Sequence, residues 1–216
     1  GRLFSDIDIL VPKARLPEVE AALMMHGWIT THHDTYDQRY YREWMHELPP
    51  MQHARRGNSI DVHHAILPET APVRPDPDKL RAAARPITGV PGLATLAPAD
   101  MVLHSAVHLF FDGEFDKGLR DLVDMHRLLG EFGAQPGFWD ALPARARELE
   151  LGRPLFYALR YCPRLLGTVV PPAVQAAVAP AGPNPVLLWL MDRLFGRALL
   201  PLHASCEGTS SSLARF

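Results

Sequence analysis

Apolar and polar residues alternate with a period of two in two places, and each time an acid falls on the polar phase. In Asp6-Ile7-Asp8-Ile9-Leu10-Val11, the apolar phase holds Ile7, Ile9 and Val11 and the polar phase holds Asp6 and Asp8. In a second strand, read at about 58–67, Ile60, Val62 and Ile66 alternate with Asp61 and His63. Strand side chains project alternately to two faces, so the acids point away from whatever core the apolar phase joins. Between the two strands the period changes. After Pro12, residues Leu16, Val19, Ala22 and Leu23 recur at helical spacing, and Gly27 is placed as a C-terminal stop. Residues 28–32 and 38–46 read as an antiparallel strand pair, the second rich in Tyr40, Tyr41 and Trp44.

Pro68, Pro72, Pro75 and Pro77, with Pro86 a little beyond, then rule out regular structure and predict a connecting stretch. Beyond it the spacing is helical, over 98–111, 117–132, 137–149, 153–167, 171–179 and 184–199. The pattern predicts an α+β fold: a small mixed β-sheet core over residues 1–75, followed by an all-α helical subdomain over 76–200. The Ser-rich end, 201–216, is read as a disordered tail.

Composition narrows this little. The 216 residues are 47% hydrophobic and 21% charged, as in an ordinary globular protein. Lys plus Arg number 22 against 24 for Asp plus Glu, a formal charge of −2 that does not indicate an extended nucleic-acid surface. Two cysteines, Cys162 and Cys206, are too few for a disulfide framework or a Cys-based zinc site. Apolar runs such as Val186–Met191 are far too short to cross a bilayer, so a cytoplasmic protein without a membrane partner is expected.

The acids carry the chemistry. Asp6 and Asp8 repel each other and are poor core residues, and Asp61 adds a third carboxylate on a strand. Hard divalent cations bind carboxylate and phosphate oxygens together, so the three acids point to a two-metal phosphoryl or nucleotidyl transfer site. The run Arg2-Leu3-Phe4-Ser5-Asp6-Ile7-Asp8-Ile9-Leu10-Val11 resembles the DNA polymerase β-like nucleotidyltransferase superfamily, which has an Asp-x-Asp on one strand and an Asp on a later one. More narrowly, the chain resembles a family of uncharacterised bacterial nucleotidyltransferases. That resemblance rests on Asp61-Val62-His63, on the helical segment His104-Ser105-Ala106-Val107-His108, and on Leu119-Arg120-Asp121-Leu122-Val123-Asp124.

The resemblance implies that Asp6, Asp8 and Asp61 are the catalytic, metal-holding residues, with Mg²⁺ (or Mn²⁺) as cofactor. Its partners would be a nucleoside triphosphate and an unknown acceptor, and Asp61 would help to activate the acceptor hydroxyl. Ser5 and Arg2 are candidates for phosphate contact. In the superfamily a Gly-Gly or Gly-Ser pair upstream of the first aspartate opens a helix that cradles the triphosphate. Gly1 stands too close to Asp6 for that role, so the chain is read as truncated at its N-terminus. A catalytically inactive, antitoxin-type binding module is the alternative that follows.

Eleven histidines raise a further alternative, a His/Asp metal hydrolase using His63, His104 and His108. His63 shares the Asp61 face. His104 and His108 are four apart on a predicted helix, a spacing that lets two imidazoles meet one metal. No acid lies between them, so a structural or substrate-side role is preferred for the pair. Asp124 is expected to pair with Arg120 along its helix, and Arg120 is also a candidate phosphate ligand.

Overall fold

The computed structural model describes residues 6–32, 34–111, 115 and 117–200. It is an α+β chain that divides into two compact units, one ending at Thr95 and the other beginning at Leu96. Among the described residues, no helix is long and apolar enough to cross a membrane.

The first unit is built on a four-stranded mixed sheet. Its strands are β1 (Asp6–Leu10), β2 (Trp28–Thr30), β3 (Met51–His53) and β4 (Ser59–His63), in the order β1-β4-β3-β2. β1 and β4 are parallel, and the other pairs are antiparallel. Parallel neighbours need a long crossover. Here that crossover holds helices α1 (Leu16–Met25) and α2 (Thr35–Trp44) and strands β2 and β3. Gly27, at φ 87°, takes the left-handed conformation that turns the chain from α1 into β2. Ile60 and Val62 of β4 are 6% and 1% exposed and join Leu48, Met51, Ile66, Leu67 and Leu80 in the core. On β1 the apolar phase is less covered, with Ile7 49% exposed.

Residues 38–46, expected as a strand, are mostly helix. The Asp34 carboxylate accepts the Tyr36 N–H at 2.7 Å and caps the first turn of α2. Tyr36, Tyr40 and Trp44 then recur at four-residue spacing, with successive ring centroids 6.4 and 5.9 Å apart. Arg39 donates to Glu43 one turn on, and Arg42 reaches Glu20 of α1 with bonds of 2.9 and 2.6 Å. Aromatic β-propensity suits a half-buried pleated surface, and a capped, ion-paired helix satisfies the same residues. The partner of β2 is therefore β3, with Trp28 opposite His53 and Thr30 opposite Met51.

The proline-rich stretch is irregular, as expected. It is followed by α3 (Pro77–Ala83), capped by Asp76, and by a short antiparallel pair, β5 (Arg85–Pro86) and β6 (Ala94–Thr95), all within the first unit.

The second unit contains six α-helices among its described residues: α4 (Pro98–Phe111), α5 (Gly118–Gly133), α6 (Phe138–Glu148), α7 (Gly152–Leu166), α8 (Pro172–Val178) and α9 (Pro185–Ala198). Each lies within a residue or two of its expected span. In α4, Val102, Leu103, Ala106, Val107, Leu109 and Phe110 are all buried, so the helix is apolar nearly all round and packs against α5, α6 and α7. Phe110, Tyr157, Tyr161 and Phe195 form an aromatic cluster joining α4, α7 and α9. The expected tail, 201–216, lies outside the described residues.

Among the described residues of this unit, one charge is fully buried. Asp100 has no exposed surface, and Arg145 meets it with two parallel bonds, Nε to Oδ1 at 2.7 Å and Nη2 to Oδ2 at 2.9 Å. Removing one partner strands the other charge in low dielectric, whereas replacing both removes the desolvation cost as well. Arg145→Met, which takes the guanidinium away from the fully buried Asp100, is therefore expected to lower unfolding stability by about 3 kcal/mol, and Asp100→Leu/Arg145→Met by clearly less. Urea melts of the three proteins check this, and a double variant no better than the single one would contradict it.

Candidate active site

The parallel register of β1 and β4 assembles the site. Asp8 lies opposite Asp61, Asp6 opposite Ser59 and Leu10 opposite His63. Strand alternation then puts Asp6 and Asp8 on the same sheet face as Asp61 and His63, with about 4.8 Å between neighbouring strands. Residues 55 positions apart in sequence thus become neighbours.

Exposure is graded across this face. Asp6 and Asp8 are exposed and Asp61 is half-buried. The Asp61 Oδ1 atom is buried without a hydrogen-bond partner. Burial, and then the negative charges of Asp8 and Asp6, push the Asp61 carboxyl above the usual carboxylate range, while His63 works the other way. An acid in this setting is stabilised by a cation. The three carboxylates share one sheet face without converging on a single point, and the oxygens they offer, one of them buried and unsatisfied, are of the kind a hard divalent ion such as Mg²⁺ or Mn²⁺ takes.

His63 is held from both sides. Its Nε2 lies 3.4 Å from Asp8 Oδ1, and its Nδ1 lies 3.3 Å from Glu47 Oε2. Burial opposes the imidazolium, but Asp8, Glu47 and Asp61 outweigh it and raise His63 above an ordinary histidine. Glu47 owes its place to the backbone. It forms an antiparallel bridge with His63, Leu48 donates to the Val62 carbonyl at 2.9 Å, and His64 donates to the His46 carbonyl at 2.8 Å. Directly opposed residues of a bridge share a face, so Glu47 joins the acids. The His46 ring lies 5.2 Å from that of His63. Tyr41 of α2 is near enough that its phenol is raised by burial and then by Glu47, Asp37 and Asp61.

Glu47, His46 and Tyr41 are absent from the candidates read from sequence. Tyr41 falls in the segment assigned to the wrong element. His46 closes the segment read as a strand over 38–46, and Glu47 is placed by a single bridge just before Pro49-Pro50, beyond that run. His104 and His108 lie one turn apart on α4, His108 exposed, and belong to the helical unit. Arg120, on α5, donates to its neighbour Asp121 at 3.1 Å, an exposed contact of small energetic weight. Arg2 and Ser5 lie outside the described residues, as does His33.

Residues 1–167 match the model of a family described as uncharacterised nucleotidyltransferase. The chain belongs to that family. The match covers the acid-bearing sheet and runs through α7, so it spans both kinds of architecture. Neither the curated proteins nor the solved structures include a match to the chain.

The raised Asp61 carboxyl has a consequence for stability. A carboxyl whose value is higher folded than unfolded resists ionisation in the folded state. Its destabilising effect is therefore full above the folded value, fades as pH falls through that value, and is gone below the unfolded value of about 3.9. Without divalent cations, Asp61→Asn is expected to raise the urea midpoint at neutral pH, with the gain shrinking as pH is lowered through the carboxylate range. Melts across pH test this, and an unchanged or lowered midpoint at neutral pH would contradict it.

Proposed function

We propose that this nucleotidyltransferase moves a nucleoside monophosphate group from a nucleoside triphosphate to an acceptor hydroxyl, with Asp6, Asp8 and Asp61 holding Mg²⁺ or Mn²⁺. The observation that carries this reading is the Asp8–Asp61 register pair with its buried, unsatisfied Asp61 oxygen, in a chain of nucleotidyltransferase family. In the transfer, the acceptor oxygen forms a bond to the α-phosphorus as the bond to the β-phosphate oxygen breaks, and pyrophosphate leaves. A bound divalent cation supplies positive charge to the phosphate oxygens, where negative charge grows.

The chain's own residues do the rest. Asp6 and Asp8, on the exposed side of the cluster, bind the cation that accompanies the triphosphate. Asp61 helps to hold the cation and accepts the proton of the acceptor hydroxyl. His63 touches Asp8 and orients its carboxylate. Rigid strands hold all four groups, which favours in-line geometry. A cytoplasmic location, where nucleoside triphosphates are abundant, fits this reading.

The test supplies each of the four nucleoside triphosphates, labelled at the α-phosphate, with Mg²⁺ and a panel of sugar, nucleotide and protein hydroxyl acceptors. Label transfer by the parent chain is expected to fall at least about 100-fold in Asp8→Asn and in Asp61→Asn, both remaining folded by circular dichroism. Transfer that persists undiminished in both folded variants would rule out the proposed roles.

A further inference from the structure

Beside the three aspartates lies a second donor set of different chemistry. His46, Glu47 and His63 each offer a ligand atom, and the three atoms lie within 4.8 Å of one another. All three residues are half-buried. The His63 Nδ1 to Glu47 Oε2 separation of 3.3 Å is the spacing of two ligands on one tetrahedral ion, because bonds of about 2.0–2.1 Å at the tetrahedral angle put donors about 3.3 Å apart. On the other side of the same ring, Nε2 faces Asp8 Oδ1 at 3.4 Å. A carboxylate on the far nitrogen is the usual support of a metal-bound histidine, since it fixes the tautomer and the ring orientation.

We propose that His46, Glu47 and His63 form a binding site for a borderline divalent cation of the zinc class, distinct from the all-oxygen aspartate site. Two imidazoles and one carboxylate suit Zn²⁺, whereas Mg²⁺ prefers oxygen ligands and retained water. Three protein ligands leave a fourth position for water or a substrate oxygen. Closing the widest pair onto an ion takes a side-chain movement of about an ångström, within the reach of half-buried rotamers.

The site has a structural consequence. Backbone bridges already hold residues 46–48 against β4, and an ion there ties the two segments together through their side chains. It also fixes the His63 ring with Nε2–H directed at Asp8. The assignment stands independently of nucleotidyl transfer, because it rests on donor geometry alone.

Calorimetric titration of the chelator-treated full chain with Zn²⁺ tests it, with Co²⁺ spectroscopy as a geometric probe. One equivalent of Zn²⁺ should bind in the presence of excess Mg²⁺, and Co²⁺ should give the intense visible bands of a four-coordinate ion. His46→Ala and Glu47→Gln should each weaken Zn²⁺ binding at least about 10-fold, while Asp61→Asn keeps it. Glu47→Gln preserves shape and serves if His46→Ala fails to fold by circular dichroism. No Zn²⁺ binding by the parent chain would overturn the proposal. So would binding lost in Asp61→Asn but retained in folded Glu47→Gln.

Discussion

The proposed nucleotidyl-transfer site depends on the parallel pairing of β1 with β4. A strand that slips by one residue exchanges its two faces, so register alone decides whether Asp6 and Asp8 meet Asp61 or Ile7 and Ile9 do. The register is anchored on β4, where Ile60 and Val62 are buried and cannot be turned outward without losing several kcal/mol of apolar burial. Once β4 is fixed, Asp61 and His63 must face the other way, and the pairing brings Asp8 directly to Asp61. The resulting repulsion is a local cost carried by the fold. It is concentrated on Asp61, the more buried of the acids and the one with an unsatisfied oxygen.

The surroundings divide that charge into two chemical neighbourhoods. Toward β1 the donors are carboxylate oxygens, exposed enough to meet a substrate. Toward residues 46–48 the donors become imidazole and one carboxylate, and His63 stands between the two with a ring nitrogen directed at each. The helical unit treats charge differently. It buries Asp100 completely but satisfies it with a bidentate Arg145, and Asp192 receives Arg160, Arg164 and Tyr161 in a similar way. Neutralised pairs of this kind hold helices together, whereas the unsatisfied Asp61 oxygen marks a place adapted to something else.

Much of this was legible in the sequence because it follows from periodicity. The period of two in β1 and β4 put Asp6, Asp8, Asp61 and His63 on polar phases, and the helical spacing from Pro98 to Leu199 located six helices. The failures have physical causes. Tyr40, Tyr41 and Trp44 favour strands by composition, but Asp34 capping and the Arg42–Glu20 pair between helices make the segment helical, and only a folded chain reveals that pair. Residues 77–95 are too short and too rich in proline and glycine to show a period, yet they fold into α3 and a two-stranded pair. Glu47 reaches the acid face through a single bridge, which leaves no repeating trace along the chain.

The central claim is that Asp8 and Asp61 jointly hold a divalent cation together with a nucleoside triphosphate. Calorimetry of Mn²⁺ with a non-hydrolysable triphosphate analogue tests it directly, using the parent chain, Asp8→Asn and Asp61→Asn. The account predicts analogue binding that requires Mn²⁺ and is lost in both folded variants, since asparagine keeps the shape of aspartate without its charge. Metal-dependent binding of equal affinity in all three proteins would contradict it.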